Sequence, residues 1–134
     1  DHGIDVIYIS NHGGRQLDFG LGTTAVLTEL INTTKDRCEI YVDGGFYRGT
    51  DILKAICLGA TAIGLGRLYG YGMAADGVDG IIRVLEILEE EIINAMANLG
   101  TTTLSELNKD LICKSNSVVE PSAFSAFLPV KISY

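Results

Sequence analysis

One histidine and one arginine, three residues apart, stand in a polar loop near the start of the chain: Ser10-Asn11-His12-Gly13-Gly14-Arg15-Gln16. A titratable base beside a fixed cation suits chemistry on an anionic substrate. His12 is the chain's one internal histidine, since the other, His2, sits at the terminus. The adjacent glycines Gly13 and Gly14 let backbone approach a ligand closely. Arginine's planar fork can hold a carboxylate through two hydrogen bonds. A histidine that only satisfies local hydrogen bonds is the alternative, and the flanking Asn11, Gly13, Gly14 and Arg15 weigh against it.

Two further glycine loops carry potential chemistry. Asp43-Gly44-Gly45-Phe46-Tyr47-Arg48-Gly49 lies between an apolar run and a helix-forming stretch. Paired glycines before a helix N-terminus can cradle a phosphate with backbone N–H groups. Asp43 could accept hydrogen bonds from sugar-like hydroxyls, whereas a plain tight turn is the competing account. The third loop, Gly64-Leu65-Gly66-Arg67, again offers a glycine N–H and a cation. No G-x-G-x-x-G spacing occurs, so this is not the dinucleotide fingerprint.

The elements that must position these loops alternate in type. Residues 4–9, 39–42 and 60–65 read as buried strands, and residues 23–32, 50–58 and 79–99 as helices. Thr23 or Thr24 and then Thr50 are the expected N-caps, with Ile52, Ala55 and Ile56 facing inward on the second helix. Glu86, Glu89, Glu90 and Glu91 form an expected solvated face on the third. Residues 105–112 read as a short last helix. The stretch 115–134 holds Pro121 and Pro129, shows no period and reads as an irregular tail.

Three β-loop-α units with near-continuous apolar strands imply a parallel sheet covered on both faces. The doubly wound sheet and the eight-stranded βα barrel both use this pattern, and both gather chemistry at the C-terminal ends of strands. All three loops occupy that position. Three units cannot close a barrel of eight, so the chain reads as a piece of a longer protein or as needing an assembly partner.

Bulk properties set limits. The chain has 134 residues, about half of them apolar, and a net charge of −7. That charge argues against nucleic-acid binding. No run reaches the roughly 20 apolar residues of a membrane span. Cys38, Cys57 and Cys113 form no close metal-ligand pair, and an odd count favours reduced thiols in an intracellular reducing compartment. The compartment is otherwise open, whether cytoplasm or an organelle; the ending Lys131-Ile132-Ser133-Tyr134 is no Ser-Lys-Leu signal.

On these residues the chain resembles the C-terminal part of the FMN-dependent α-hydroxy-acid dehydrogenases and oxidases, the family of glycolate and lactate oxidases and cytochrome-linked L-lactate dehydrogenase. The heptad at 10–16 is that family's active-site motif. Val42-Asp43-Gly44-Gly45, Arg48-Gly49-Thr50-Asp51, Leu58-Gly59-Ala60 and Gly66-Arg67 follow in the expected order. The likeness runs to about Leu107, and residues 1–114 are taken as the barrel portion. It implies strands six to eight, with their helices, of a (β/α)8 TIM barrel. It implies His12 as proton acceptor and Arg15 as clamp for the carboxylate of a small 2-hydroxy acid such as lactate or glycolate. Asp43 would contact the ribityl chain of FMN. The backbone of Gly44, Gly45, Phe46 and Tyr47, with Gly66 and Arg67, would hold its phosphate.

The implied reaction oxidises an L-2-hydroxy acid to a 2-oxo acid. Two routes fit: His12 takes the hydroxyl proton as hydride leaves, or it removes the α-proton to give a carbanion. Electrons would pass to oxygen, a cytochrome or a quinone, and the complete enzyme would be a homo-oligomer. Phe46 and Tyr47 depart from the family pattern Asp-Gly-Gly-Val-Arg-Arg-Gly, with a neutral hydroxyl replacing a cation. Leu68 stands where proline usually follows Gly-Arg. The alternative is a truncated, non-catalytic remnant of the family that no longer binds FMN. Another FMN-dependent barrel, such as an isomerase, fits the His12 and Arg15 pair less well.

Overall fold

The computed structural model describes residues 3–114; the expected irregular tail lies outside the described residues. Three strands, β1 (Val6–Ile9), β2 (Glu39–Val42) and β3 (Ala62–Ile63), form one parallel sheet in the order β1-β2-β3. Register pairs Ile7 with Ile40 and Ile9 with Val42, while Tyr8 pairs with Tyr41 and Tyr41 with Ala62. Side chains alternate across a strand, so the first pair of rungs and the second set face opposite sides.

One side meets the helices α1 (Thr23–Thr34) and α2 (Gly49–Cys57). Ile9, Ile40 and Val42 pack there with Leu27, Phe46, Ala55 and Ala60 in the main core. The other side carries Val6, Tyr8 and Tyr41; Tyr8 meets Tyr41 edge-on with ring centroids 6.3 Å apart. Tyr8 is about half exposed on this face. A second core joins α2 to α3 (Arg67–Leu99) through Leu53, Cys57, Met96 and Leu107.

Differences from the expected elements have local causes. The third strand spans two residues rather than 60–65: only Ala62 and Ile63 stand in ladder register with β2. Its extended neighbours still bond β2, Thr61 N to Ile40 O and Gly64 N to Val42 O. The first helix runs past residue 32. The Thr33 and Thr34 hydroxyls donate back to Glu29 O and Ile31 O, and the Arg37 guanidinium covers the carbonyls of Thr33 and Thr34.

Neither threonine at its start is a cap: Gly22 holds that position. Nor does Thr50 cap α2. Arg48 stands at the N-cap, and the Asp51 carboxylate accepts from Arg48 N and Tyr47 N. On α2 the buried side chains are Leu53, Ala55 and Cys57. Ile52 and Ile56 are only partly buried, lining an apolar groove between α2, β3 and α3.

The third helix begins twelve residues earlier than expected, at Arg67 rather than 79. It bends sharply at Asp76 and Gly77, where the backbone leaves helical geometry. Before the bend Gly72 packs on Gly80 so tightly that a Cβ at 72 would lie 2.6 Å from Gly80 O. Glycine placed for that contact lowers helix propensity and hides the helix from periodicity. Residues 105–112 form two 3-10 turns, Leu104–Glu106 and Lys109–Leu111, in place of the expected helix. Extended backbone at Asn108 separates them.

Glu91 is not part of a solvated acidic face. Its carboxylate accepts from Arg48 Nε and from Gly49 N, each at 2.7 Å, and so ties α3 to the start of α2. The Arg48 hydrogen bond, the largest cause, holds the Glu91 carboxyl below its usual range; burial opposes this and the Gly49 N–H adds to it. A folded value depressed below the unfolded one, about 4.3, gives stability that is complete above it and is lost as pH falls through the folded value. A Glu91→Gln protein is therefore expected to be less stable at neutral pH, with the difference shrinking below about pH 4.3. Urea midpoints measured across that range check this.

Candidate active site

The heptad follows β1 as a 3-10 turn at His12–Gly14. His12, Gly13 and Gly14 all have left-handed backbone, with φ of 53°, 65° and 74°. Such a conformation is uncommon for a residue other than glycine, though histidine tolerates it better than most. Three hydrogen bonds hold it: Ser10 Oγ accepts from His12 N at 3.1 Å, Asn11 O from Gly14 N at 2.9 Å, and His12 O from Arg15 N at 3.3 Å. His12 and Arg15 are both exposed on this turn.

The glycine loop leaves β2 beside it. Asp43 N donates to Ile9 O at 3.1 Å, joining the ends of β1 and β2. The Thr23 hydroxyl donates to Asp43 O, which explains a buried threonine at the start of α1. Gly44 turns the chain with φ of 98°, and a Cβ there would sit 3.0 Å from Thr23 Oγ1 and 3.3 Å from Asn11 Oδ1. No other residue meets both the backbone and the space requirement. The Phe46 ring is buried in the main core, so that residue offers the site its backbone alone.

Tyr47 turns its ring toward Arg67, whose Cζ lies 5.9 Å from the ring centre, near the outer limit of a cation–π contact. Burial raises the Tyr47 phenol above its ordinary value, and the Arg67 charge pulls the other way. The phenol is thus a neutral donor near neutral pH. Arg67 opens α3 after Gly66, and that helix start has no side-chain cap. Its first N–H groups therefore face outward with the positive end of the helix dipole.

These pieces meet in one cavity of about 340 Å3, lined by His12, Gly13, Arg15, Asp43, Gly44, Gly45, Phe46, Tyr47, Gly66, Arg67 and Tyr69. Every residue singled out as a site candidate is on its wall. Tyr69 was missed, because it lies in the helical stretch that the glycines disguise. Thr23 and Asn11 support the wall from behind. Gly13 was legible as part of the heptad.

The wall suits a phosphorylated polyol. Asp43 Oδ1 and Asn11 Oδ1 are buried acceptors without a protein partner. A buried orphan acceptor is costly and calls for a donor; Asp43, the one of the two on the cavity wall, can take that donor from a ligand hydroxyl. Beyond them, Cβ atoms built at Gly45 and Gly66 would meet nothing within 4 Å, which is the open space a phosphate needs. Arg67 places a positive charge on the same wall. Among the described residues no group of three or more His, Cys, Asp or Glu could hold a metal ion. Nor, among them, is any helix long and apolar enough to cross a membrane.

A parallel βα sheet with glycine loops and a histidine–arginine turn gathered at the C-terminal strand ends is the architecture of a ligand-binding βα barrel. The family model for FMN-dependent dehydrogenase matches residues 1–114, and the chain belongs to that family. It is 45% identical over 115 residues to an L-lactate dehydrogenase (cytochrome) of Saccharomyces cerevisiae, which covers 82% of this chain and 20% of the relative. It is 43% identical to human 2-hydroxyacid oxidase 2, covering 83% of this chain and 32% of the relative. A peroxisomal (S)-2-hydroxyacid oxidase of Arabidopsis thaliana is 41% identical, covering 85% and 31%.

Among solved structures, that of monotopic membrane protein (S)-mandelate dehydrogenase superposes with a TM-score of 0.78 at 40% identity, covering 81% of this chain and 29% of that one. A mandelate oxidase variant with a monooxide FMN adduct gives 0.77 at 40% identity, covering 80% and 34%. The fold is therefore a portion of a TIM barrel. The chain spans between a fifth and a third of the length of these curated relatives.

Proposed function

We propose that this chain supplies the proton acceptor, the carboxylate clamp and the phosphate cradle of an FMN-dependent enzyme that oxidises a small L-2-hydroxy acid to a 2-oxo acid. The convergence of His12, Arg15, Asp43 and Arg67 on one cavity carries the reading. FMN, when bound, accepts the two electrons removed from the substrate. Asp43 receives its ribityl hydroxyls, and the backbone of Gly44, Gly45, Phe46 and Tyr47, with Gly66 and Arg67, receives its phosphate. Arg15 binds the substrate carboxylate and fixes which carbon faces the cofactor. His12 takes a proton from the substrate, from the hydroxyl in the hydride route or from the α-carbon in the carbanion route.

Electrons leave to a cytochrome or to oxygen, the acceptors that fit the lactate dehydrogenase and oxidase relatives. The three cysteines are free thiols, in keeping with a reducing compartment. The edges that β1 and β3 leave unpaired among the described residues are where neighbouring strands of the complete barrel would pair, and the chain alone is expected to associate through them; the complete enzyme is read as a homo-oligomer on the family likeness.

The test is the visible spectrum of the purified protein with FMN. Binding followed by bleaching with lactate or glycolate under anaerobic conditions supports the enzyme. A protein that stays colourless after FMN addition is the non-catalytic remnant. Two variants examine the parts. Arg67→Ala is expected to weaken FMN binding roughly 10- to 100-fold, the size of a lost charge-assisted hydrogen bond. Riboflavin, which has no phosphate, should bind both proteins alike by fluorescence titration. Arg15→Lys is expected to raise KM for the hydroxy acid more than it lowers kcat, because the two-point geometry is lost while the charge remains.

A further inference from the structure

Tyr8 belongs to none of the three loops and does not line the cavity, yet its hydroxyl comes up beside Gly64 and Asp43. It projects from β1 on the sheet face opposite the helices, with its ring edge against Tyr41. Its hydroxyl occupies the space above Gly64 in which any side chain would stand. A Cβ built at Gly64 collides with that hydroxyl and lies 3.2 Å from Tyr8 Cζ and 3.1 Å from Asp43 Cβ. Tyr8 and Asp43 therefore converge on one point at the C-terminal ends of all three strands.

Asp43 is already fixed through its main chain. Its N–H is bonded to Ile9 O, and its carbonyl accepts from Thr23. What remains is the direction of its carboxylate, whose Oδ1 is buried without a protein partner. We propose that Tyr8 is a positioning residue for Asp43: its hydroxyl, seated over Gly64, holds one side of the carboxylate and leaves Oδ1 to receive a ribityl hydroxyl of FMN. This rests on the FMN reading given above.

The chemistry is consistent. Burial first, then the nearby Asp43 charge, raise the Tyr8 phenol above its ordinary value. The hydroxyl thus stays protonated at neutral pH and acts as a donor. Glycine at 64 leaves room for it, so the Tyr8 and Gly64 pair works as a unit.

Two measurements test this. The first needs no flavin. Tyrosinate absorbance, taken as the difference between the protein and its Tyr8→Phe variant, reports the Tyr8 titration. In an Asp43→Asn background that titration is expected to move to lower pH. An unmoved titration overturns the proposal, whether or not the protein binds FMN. The second is FMN affinity by fluorescence quenching. Tyr8→Phe is expected to weaken binding about 2- to 10-fold, the range of one neutral hydrogen bond. It should add nothing in the Asp43→Asn background. An equal penalty in both backgrounds would mean a role in packing alone and would overturn the proposal. If the parent protein binds no FMN, the proposed function fails, and the phenol titration still decides whether Tyr8 acts on Asp43.

Discussion

Replacing His12 with alanine is expected to lower the rate of flavin reduction by a 2-hydroxy acid by about 10²- to 10⁴-fold, the usual contribution of a positioned acid or base. FMN binding should be unchanged. The separation follows from the geometry. The cradle for the phosphate is built from the β2–α2 loop and the start of α3, with Arg67 beside Tyr47. His12 stands on a different turn, held by Ser10 and by the backbone of residues 11–15. Truncating its side chain removes no bond that shapes the cradle. Stopped-flow anaerobic reduction gives the rate, and fluorescence titration gives the affinity. A variant reduced at the parent rate would end the assignment of His12 as proton acceptor. One that loses FMN would show that His12 belongs to the cofactor's support.

Much of this site was legible in the sequence because its parts lie in short, contiguous motifs. Ser10 to Gln16, Asp43 to Gly49 and Gly64 to Arg67 each follow an apolar strand. A parallel sheet brings successive strand ends to one edge. Chain order alone then predicts that His12, Asp43 and Arg67 meet, as they do on the wall of one cavity. Other features depend on contacts between distant residues and leave no local trace. The helix over residues 67–75 was hidden by Gly70 and Gly72, and Gly72 is there to admit the backbone of Gly80. Tyr69 was lost with it. Glu91 resembled its acidic neighbours, and only the fold places Arg48 and Gly49 against it. Thr23 resembled a helix cap, whereas its hydroxyl serves the carbonyl of Asp43, twenty residues away.

Gly49 is where stability and site are coupled most tightly, and a side chain there is expected to damage both. A Cβ at this position would lie 2.6 Å from Glu91 Cβ, 2.8 Å from Ile92 N and 2.9 Å from Leu88 O. Two of those three atoms are helix backbone and cannot turn aside. Alanine would force α2 and α3 apart, breaking the Gly49 N–H to Glu91 bond and loosening the core of Leu53, Cys57, Met96 and Leu107. Overpacking of this kind costs about 1–3 kcal/mol and more where backbone must move. Gly49→Ala is therefore expected near 3 kcal/mol or above, and Gly49→Val should not fold. Thr50→Ala, at the exposed next position, should be nearly neutral. Urea midpoints separate the two. Because α2 begins at the end of the glycine loop, the shift should also weaken FMN binding in Gly49→Ala. It should do so more for FMN than for riboflavin, since the glycine loop leading into α2 and Arg67 on α3 form the two sides of the phosphate cradle. A Gly49→Ala protein with the parent's midpoint would mean that the two helices do not meet at this glycine.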